Sequence, residues 1–174
     1  MSLIPAPSVH PRTLRSLWEH YERGNDVALA ALLCREARRG VPALYGVFSD
    51  HPLGDDWRDF AFNAVARYLE RRRGTVYVVA NPVHANLYKV GQTRGDVRQR
   101  LKSLNSAGVV GFFLEVAHQV VADRFFVETQ AQKRLTTTCE RHKEFFRCTY
   151  QLAQQAIETA AQQDARALSQ LGAG

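Results

Sequence analysis

The sequence predicts an α+β protein in which a helical N-terminal part precedes a small core of about three antiparallel strands flanked by helices. Apolar residues recur at spacings of three and four through much of residues 1–73, which is typical of helices. Two short apolar or β-branched runs, at 75–79 and 87–90, are joined by a polar turn, which favours an antiparallel pair. The predicted parts are a helical domain or subdomain over 1–73, a core domain over 74–148 and a C-terminal helix over 149–174.

Three helices are predicted within the N-terminal 73 residues. The first follows a proline-rich arm and ends at Gly24, and the second ends at Gly40, because glycine commonly follows the last helical residue. The third begins at Gly54, where two acidic residues follow and suit a helix start. Between the second and third helices, residues 41–48 fit either a short helix or a loop.

A further helix is predicted after Asp96, because Val97, Leu101 and Leu104 lie on one helical face. Arg100 lies at the rim of that face, from which its side chain can reach the ends of the two strands. On the residues alone, an arginine at such a rim typically covers apolar surface with its methylene groups and keeps its charge in water.

Residues 112–121 alternate between apolar and polar side chains and predict a third strand. Its apolar face includes His118, which is therefore expected to be a hydrogen-bonded histidine of the core. A short final strand is predicted to start at Glu144, and the C-terminal helix is predicted to pack through a face that begins with Leu152.

The helix that follows residue 121 carries a carboxylate close to its apolar stripe. Asp123 caps this helix, and Val127, Ala131 and Leu135 form the stripe. Glu128 lies beside the stripe, where a carboxylate is partly desolvated and needs a partner or a metal ion. From the residues alone, Glu128 is either ion-paired with a nearby arginine or a metal ligand.

The charge of the chain indicates a polyanionic partner. The net charge is +6 and the pI is about 9.5. Residues 1–73 have 11 Lys and Arg against 9 Asp and Glu, a net charge of +2, whereas residues 74–147 have 11 against 6, a net charge of +5. The excess therefore lies in the predicted core domain, where Arg94, Arg98 and Lys102 are candidates for contacts with phosphates.

A run of three arginines, Arg71, Arg72 and Arg73, comes directly before the first predicted strand. One interpretation is the solvated C-terminus of a helix, where positive charges suit the helix dipole. The other is a hinge that contacts phosphates of a nucleic acid. Both interpretations stay open at the level of the sequence.

The cysteines favour a reduced, cytoplasmic setting. Cys34, Cys139 and Cys148 form no Cys-x-x-Cys pair and are odd in number, which argues against a disulfide framework and against a zinc site. The N-terminus lacks the basic and apolar regions of a signal peptide, and no apolar run approaches the ~20 residues of a membrane helix. A membrane is therefore not expected among the partners.

The order of short motifs from residue 74 onward resembles the GIY-YIG nuclease superfamily. Thr-Val-Tyr at 75–77 stands where that family has Gly-Ile-Tyr, and Lys-Val-Gly at 89–91 stands where it has Tyr-Ile-Gly. Eleven residues lie between the tyrosine and the lysine, a spacing that the family accepts. The lysine, with Arg-Leu at 100–101 and Leu-Asn at 104–105, resembles a Lys-Ile-Gly side branch of phage and microbial proteins, also described as a meiotically up-regulated gene type.

This resemblance implies a GIY-YIG-like core with a hydrolytic site made by four side chains. Glu128 would be the carboxylate ligand of Mg²⁺ or Mn²⁺, and Tyr77 would help to deprotonate the attacking water. Arg100 and Lys89 would hold the phosphate and its growing charge. Gly91 would let a helix approach the sheet.

The hypothesis is a metal-dependent endonuclease that hydrolyses nucleic-acid phosphodiester bonds, with DNA favoured over RNA. One alternative is a catalytically inactive DNA- or RNA-binding module on the same scaffold, and another is a protein-interaction module in which the hairpin is only structural. Salt-dependent binding without turnover would indicate the inactive module. If the protein is a toxin, a cognate immunity protein is implied as a partner, and roles in restriction, repair or mobile-element biology are equally open.

Overall fold

In the computed structural model, residues 9–41, 54–106 and 110–172 are described, and they confirm the predicted α+β class. The segment at 41–48, for which a short helix or a loop is predicted, lies outside these ranges apart from its first residue. Within the described ranges, no helix combines the length and the apolar character that crossing a membrane requires.

Six helices and five strands form within the described residues. They are α1 (Pro11–Glu22), α2 (Asp26–Arg38), α3 (Gly54–Arg72), β1 (Gly74–Ala80), β2 (Leu87–Thr93), α4 (Val97–Asn105), β3 (Leu114–Val121), α5 (Arg124–Thr138), β4 (Glu140–His142), β5 (Phe145–Arg147) and α6 (Tyr150–Gly172). The chain divides into two compact units, one formed by residues 1–71 with 165–174 and the other by residues 72–164. Helix α6 thus contributes its first part to the second unit and its last part to the first.

The first unit is built by the three predicted helices, α1 to α3. Asn25 caps α2, because its side-chain oxygen accepts the backbone N–H of Ala28 at 3.2 Å. Leu17 and Trp57 are fully enclosed in the core, and the Tyr21 ring meets the Trp57 ring edge to face at a centroid distance of 5.3 Å. The sequence-predicted N-terminal helices are therefore confirmed.

The second unit contains a five-stranded antiparallel sheet in the order β3-β1-β2-β5-β4. The sheet has two strands beyond the first three: β5, which corresponds to the short final strand predicted to start at Glu144, and β4, which was not predicted. Strand β4 spans only three residues, which is too short for an alternating pattern to appear in the sequence. The predicted hairpin of β1 and β2 is confirmed, with Val78 opposite Val90.

The two faces of the sheet pack against different helices. Val76 and Val78 of β1 are buried on one face with Val127 of α5 and Ile157 of α6. Tyr77 and Val79 lie on the other face with residues of α4 and with Phe113. Strand β1, an interior strand of the sheet, is therefore buried on both faces, which explains its unbroken run of valine and tyrosine.

The predicted core position of His118 is wrong. His118 is exposed on β3, and its Nδ1 atom is hydrogen-bonded to the Glu115 carboxylate. Strand β3 is an edge strand, and His118 stands opposite Tyr77, with the likewise exposed Val120 on the same face of β3. The buried face carries Val121 instead, and an irregular register between Val78 and Val79 leaves Val116 without a partner of its own in β1.

Helix α6 is confirmed, but its packed face differs slightly from the prediction. Leu152 is exposed, whereas Ala153 and Ile157 are fully buried against the sheet face that also packs α5. The predicted positions Ala156 and Ala160 are buried as expected. The helix therefore uses a stripe displaced by one residue at its start.

Candidate functional site

A cavity of about 290 Å³ opens where side chains of β1, β2, α4 and α5 converge. We call it the cleft and define it by Tyr77, Lys89, Arg100 and Glu128. These are the four residues to which the sequence resemblance assigned catalysis, and the fold places all four on one cavity. The rest of the lining consists of Val90, Gly91, Gln92, Gln132, Arg141 and Glu144.

Tyr77 lies in β1 and is only 1% exposed, so its ring is held in place from several sides. Gly91 is its cross-strand partner. A Cβ atom on Gly91 would lie 2.7 Å from the Tyr77 Oη atom and 2.8 Å from its Cζ atom. Gly91 therefore makes room for the tyrosine ring. The expectation that it lets a helix approach the sheet is wrong, because the atoms nearest to this position belong to Tyr77.

This close approach predicts that Gly91→Ala destabilises the second unit. The added methyl group meets an enclosed ring, and overpacking of this kind costs about 1–3 kcal/mol. Thermal unfolding of the full chain measures the change. Gly95→Ala is the matched control, because the atom nearest to a Cβ there is the Thr93 Oγ1 at 4.0 Å. Equal unfolding temperatures for the two variants would contradict the prediction.

Arg100 links the first turns of α4 to the tyrosine. Asp96 caps α4, since its side chain accepts the backbone N–H of Arg98 at 2.8 Å. The Arg100 Nε atom donates to the Tyr77 Oη atom at 3.3 Å. Arg100 is otherwise exposed and lines the cleft, so its remaining N–H groups are accessible to a phosphate that enters there. Its position at the rim of the packed face agrees with the helical pattern of the sequence.

Lys89 is paired with a carboxylate that the sequence analysis did not assign to the site. Its ammonium group donates to the Glu144 carboxylate, and the two form an ion pair. The hydrogen bond from Lys89 and its charge hold the pKa of Glu144 below its usual range. Glu144 was predicted only as the start of a strand. A glutamate directly before the two phenylalanines of that strand was the available signal.

Glu128 is half-buried on α5, as expected from its place beside the apolar stripe. Burial raises the pKa of Glu128, the charge of Lys89 opposes that change, and the charge of Glu144 adds to it. The predicted alternative, an ion pair with an arginine, does not form within the described part of the chain. A partly desolvated carboxylate of this kind is stabilised in its ionised form by a bound cation.

The carboxylates of the cleft fit a hard cation better than zinc. Glu128 and Glu144 both line the cavity, and no group of three His, Cys, Asp or Glu side chains that could hold a metal ion forms in the described ranges, the cleft included. Structural zinc sites use four protein ligands and catalytic ones three. Mg²⁺ keeps several waters and needs only one or two carboxylates in addition to substrate phosphates.

Two further cleft residues support its walls. Gln132, one turn after Glu128 on α5, donates from Nε2 to the backbone oxygen of Val90 at 3.3 Å. The Arg141 guanidinium lies 5.6 Å from the centre of the Phe146 ring. Sequence reasoning missed Arg141, because the strand β4 that carries it was not predicted.

Of the three consecutive arginines, Arg72 is held within the second unit. Its Nε atom lies 2.8 Å from the Asp123 Oδ1 atom, and its guanidinium lies 4.7 Å from the centre of the Phe125 ring. Asp123 is fully buried and also accepts the backbone N–H of Phe126, as the predicted cap of α5. These contacts favour a structural role for Arg72 at the entry to β1.

A basic edge forms beside this ion pair, and we define it by Arg72, Arg94 and Arg124. The Arg124 Nε atom donates to the Gln92 Oε1 atom at 2.8 Å, and its Nη1 atom donates to the backbone oxygen of Arg73 at 3.1 Å. Burial lowers the pKa of Arg124, and the charges of Arg94 and Arg72 lower it further. The sequence analysis missed Arg124, because no other basic residue is next to it in the sequence and it belongs to none of the motifs.

The other predicted phosphate-contact residues are exposed, which suits that prediction but does not test it. Arg98 and Lys102 lie on the outer surface of α4, and Arg94 lies in the turn before that helix. The side chain of Arg73 is exposed at the start of the second unit, and Arg71 is exposed at the boundary of the first.

Comparison with known proteins gives one family match. The model of the T5orf172 domain matches residues 74–161, a segment that contains all four residues of the cleft. Curated proteins and solved structures give no match. The resemblance to the GIY-YIG superfamily is corrected by this result, because the family model that matches is that of the T5orf172 domain and no GIY-YIG model does.

The T5orf172 domain is associated with nuclease and DNA-binding function, which agrees with the basic character of residues 74–147. The matched segment begins at the first residue of β1 and ends within α6, so it covers the whole sheet. Because it spans half of the chain, this protein belongs to the T5orf172 domain family.

Proposed function

We propose that this protein hydrolyses phosphodiester bonds of nucleic acid at the cleft, with DNA favoured. The observation that carries the proposal is the convergence of a half-buried carboxylate, a tyrosine hydroxyl and two cationic side chains on one small cavity. Cleavage of a phosphodiester needs an oriented water, charge relief on the phosphate and stabilisation of the leaving oxygen. The association of the family with nuclease and DNA-binding function supports the same reaction.

In this proposal, three side chains bind and orient the reacting groups. Arg100 uses its exposed N–H groups to hold two phosphate oxygens. Lys89 adds a positive charge to the same phosphate as a compact ammonium group. Tyr77, which accepts a hydrogen bond from Arg100, orients the attacking water and helps to remove its proton.

Glu128 is the proposed ligand of Mg²⁺ or Mn²⁺, with Glu144 as a second carboxylate. When bound, this ion supplies Lewis-acid stabilisation of the charge on the phosphate. A phosphate entering the cleft competes with Glu144 for the ammonium group of Lys89, and this competition would release the Glu144 carboxylate. The donor set fits the ion because Mg²⁺ accepts one or two carboxylates and keeps its waters.

Removal of divalent metal is expected to stop cleavage. Purified full-length protein should convert supercoiled plasmid to nicked circles with Mg²⁺ or Mn²⁺, and should leave it intact with EDTA. Adding Mg²⁺ in excess over EDTA should restore nicking. Recovery would show that EDTA stops cleavage by removing the metal ion and not by inactivating the protein. Nicking that continues at the same rate in EDTA would contradict the proposed metal site.

The Lys89–Glu144 ion pair also favours a second candidate, a module that binds nucleic acid without cutting it. The pair neutralises one of the two cations proposed to hold the phosphate. Such a module would show salt-dependent binding in fluorescence anisotropy, with no nicking at any metal concentration. Binding that is the same with Mg²⁺ and with EDTA, together with intact plasmid, would favour this candidate over the nuclease.

We also propose a cytoplasmic setting, in which thiols stay reduced. Within the described residues, Cys34, Cys139 and Cys148 form no disulfide, and Cys34 and Cys148 are buried. Burial and the neighbouring Cys139 raise the pKa of the Cys148 thiol to about 12, so that this thiol stays protonated and unreactive at neutral pH.

A further inference from the structure

A second cavity, of about 630 Å³, opens on the second unit close to the cleft. We call it the side cavity, and its position follows from the alternation of β2. Lys89 lines the cleft, and Leu87, two residues earlier, lines the side cavity. Side chains two residues apart on a strand share a face and lie about 7 Å from each other. The two cavities are therefore neighbours on one face of the sheet.

Strand β5, which pairs with β2, also has side chains at positions two residues apart on this face of the sheet. Phe145 of β5 stands opposite Lys89, and Arg147 stands opposite Leu87. Phe145 and Arg147 both line the side cavity. A strand of nucleic acid whose phosphate meets Lys89 in the cleft would thus carry its next nucleotide across Phe145.

The wall of the side cavity is aromatic. The rings of Phe113 and Phe145 are stacked with a centroid distance of 5.9 Å and an interplanar angle of 16°. The backbone of Phe113 is fixed by Asn105, whose side chain accepts its N–H at 2.6 Å and donates to its carbonyl oxygen at 3.2 Å. A rigid aromatic pair at the wall of an open cavity is the arrangement on which bases stack in proteins that bind single strands.

The rim of the side cavity carries hydrogen-bond donors and positive charge. His84, His142 and Lys143 are exposed there, and Arg147 is partly neutralised by its ion pair with Glu140 at 3.3 Å. Exposed apolar side chains also lie nearby, and an apolar peptide would contact these. The cationic rim and the adjoining cleft favour a polyanion instead.

We propose that the side cavity receives one unpaired base of the strand whose phosphate lies in the cleft. This inference rests on the proposed function and specifies its substrate class. A base within a continuous duplex is held by pairing and stacking, and moving it into a cavity costs several kcal/mol less when it is already unpaired. The protein would therefore act on single-stranded, looped or frayed DNA in preference to uniform duplex.

The test measures binding by fluorescence anisotropy in EDTA, where no cleavage occurs. The probes are a labelled single-stranded oligonucleotide, its duplex, and the same single strand with abasic residues in place of its central nucleotides. Wild-type protein is expected to bind the single strand at least about tenfold more tightly than the abasic strand, as for other base-stacking sites. It is also expected to bind the single strand more tightly than the duplex.

Phe145→Leu tests the aromatic wall while keeping apolar volume. It is expected to weaken binding of the single strand about tenfold and to leave binding of the abasic strand unchanged. Phe112→Leu is the matched control, because Phe112 is exposed and does not line the side cavity. Its binding of all three probes should equal that of the wild type.

Equal wild-type affinity for the single strand and the abasic strand would overturn this inference, and this comparison needs no variant. An equal loss of affinity for both strands in Phe145→Leu would also overturn it. Plasmid nicking is measured separately. Nicking without any dependence on the bases contradicts the side cavity alone, whereas base-dependent binding without nicking supports the side cavity and contradicts the proposed cleavage.

Discussion

Glu128→Gln is expected to abolish metal-dependent nicking, with a rate at least about 100-fold below that of the wild type. The substitution keeps the size and the hydrogen-bonding shape of the side chain but removes the negative charge that a divalent cation requires. Because burial already raises the pKa of Glu128, the neutral amide should be tolerated by the fold. Loss of activity should therefore come without loss of stability.

The control for this experiment is Glu158→Gln. Glu158 lies on α6 of the same unit, accepts a hydrogen bond from Gln154 at 2.7 Å, and does not line the cleft. Plasmid nicking and thermal unfolding are measured for both variants. Full activity of Glu128→Gln at saturating Mg²⁺ would contradict the proposed metal site in this cleft. A large drop in its unfolding temperature would show that Glu128 supports the fold rather than a cation.

The elements that sequence reasoning predicted are those whose signals are local. The β1–β2 hairpin needs only two short runs and a turn, and α4 needs only a cap at Asp96 and an apolar spacing of three and four. Together they fix the relative places of Tyr77, Lys89 and Arg100. For this reason local patterns could bring these three side chains together, and the sequence analysis added Glu128 from its place beside the apolar stripe of α5 and from the resemblance.

The features that were not predicted depend on contacts between strands that are far apart in the sequence. Glu144 reaches Lys89 only because β5 pairs with β2, more than fifty residues away along the chain. The exposure of His118 follows from the place of β3 at the edge of the sheet. Strand pairing of this range cannot be deduced from a single sequence, since no periodic pattern encodes which strand becomes the neighbour.

The family assignment shows a related limit. Short motifs such as Lys-Val-Gly at 89–91 consist of a few residues whose spacing several families can accept. The match to the T5orf172 domain rests instead on the whole of residues 74–161. It includes the whole of α5, from which the resemblance used only Glu128, and the start of α6, from which it used no residue. The short motifs identified the side chains of the cleft, whereas the match over residues 74–161 identified the family of the protein.

Asp123→Ala is expected to destabilise the second unit by about 2–4 kcal/mol, the combined effect of a lost helix cap and a broken buried ion pair. Asp123 is fully buried, caps α5 and lies 2.8 Å from the Arg72 Nε atom. Asp96→Ala is the matched control, because Asp96 caps α4 in an exposed position, and its loss should cost only about 1 kcal/mol. Equal destabilisation by the two substitutions, measured by chemical denaturation, would show that the pair with Arg72 contributes nothing.

The same variants connect the stability of α5 to the cleft. Glu128 lies about one helical turn after the first residue of α5, so fraying of that turn would displace the proposed metal ligand. Asp123→Asn keeps a capping oxygen but removes the charge that pairs with Arg72. It should therefore lose stability and retain nicking at a temperature where the protein stays folded, whereas Asp123→Ala should lose both. Equal nicking by the two variants under those conditions would mean that the cap does not position Glu128.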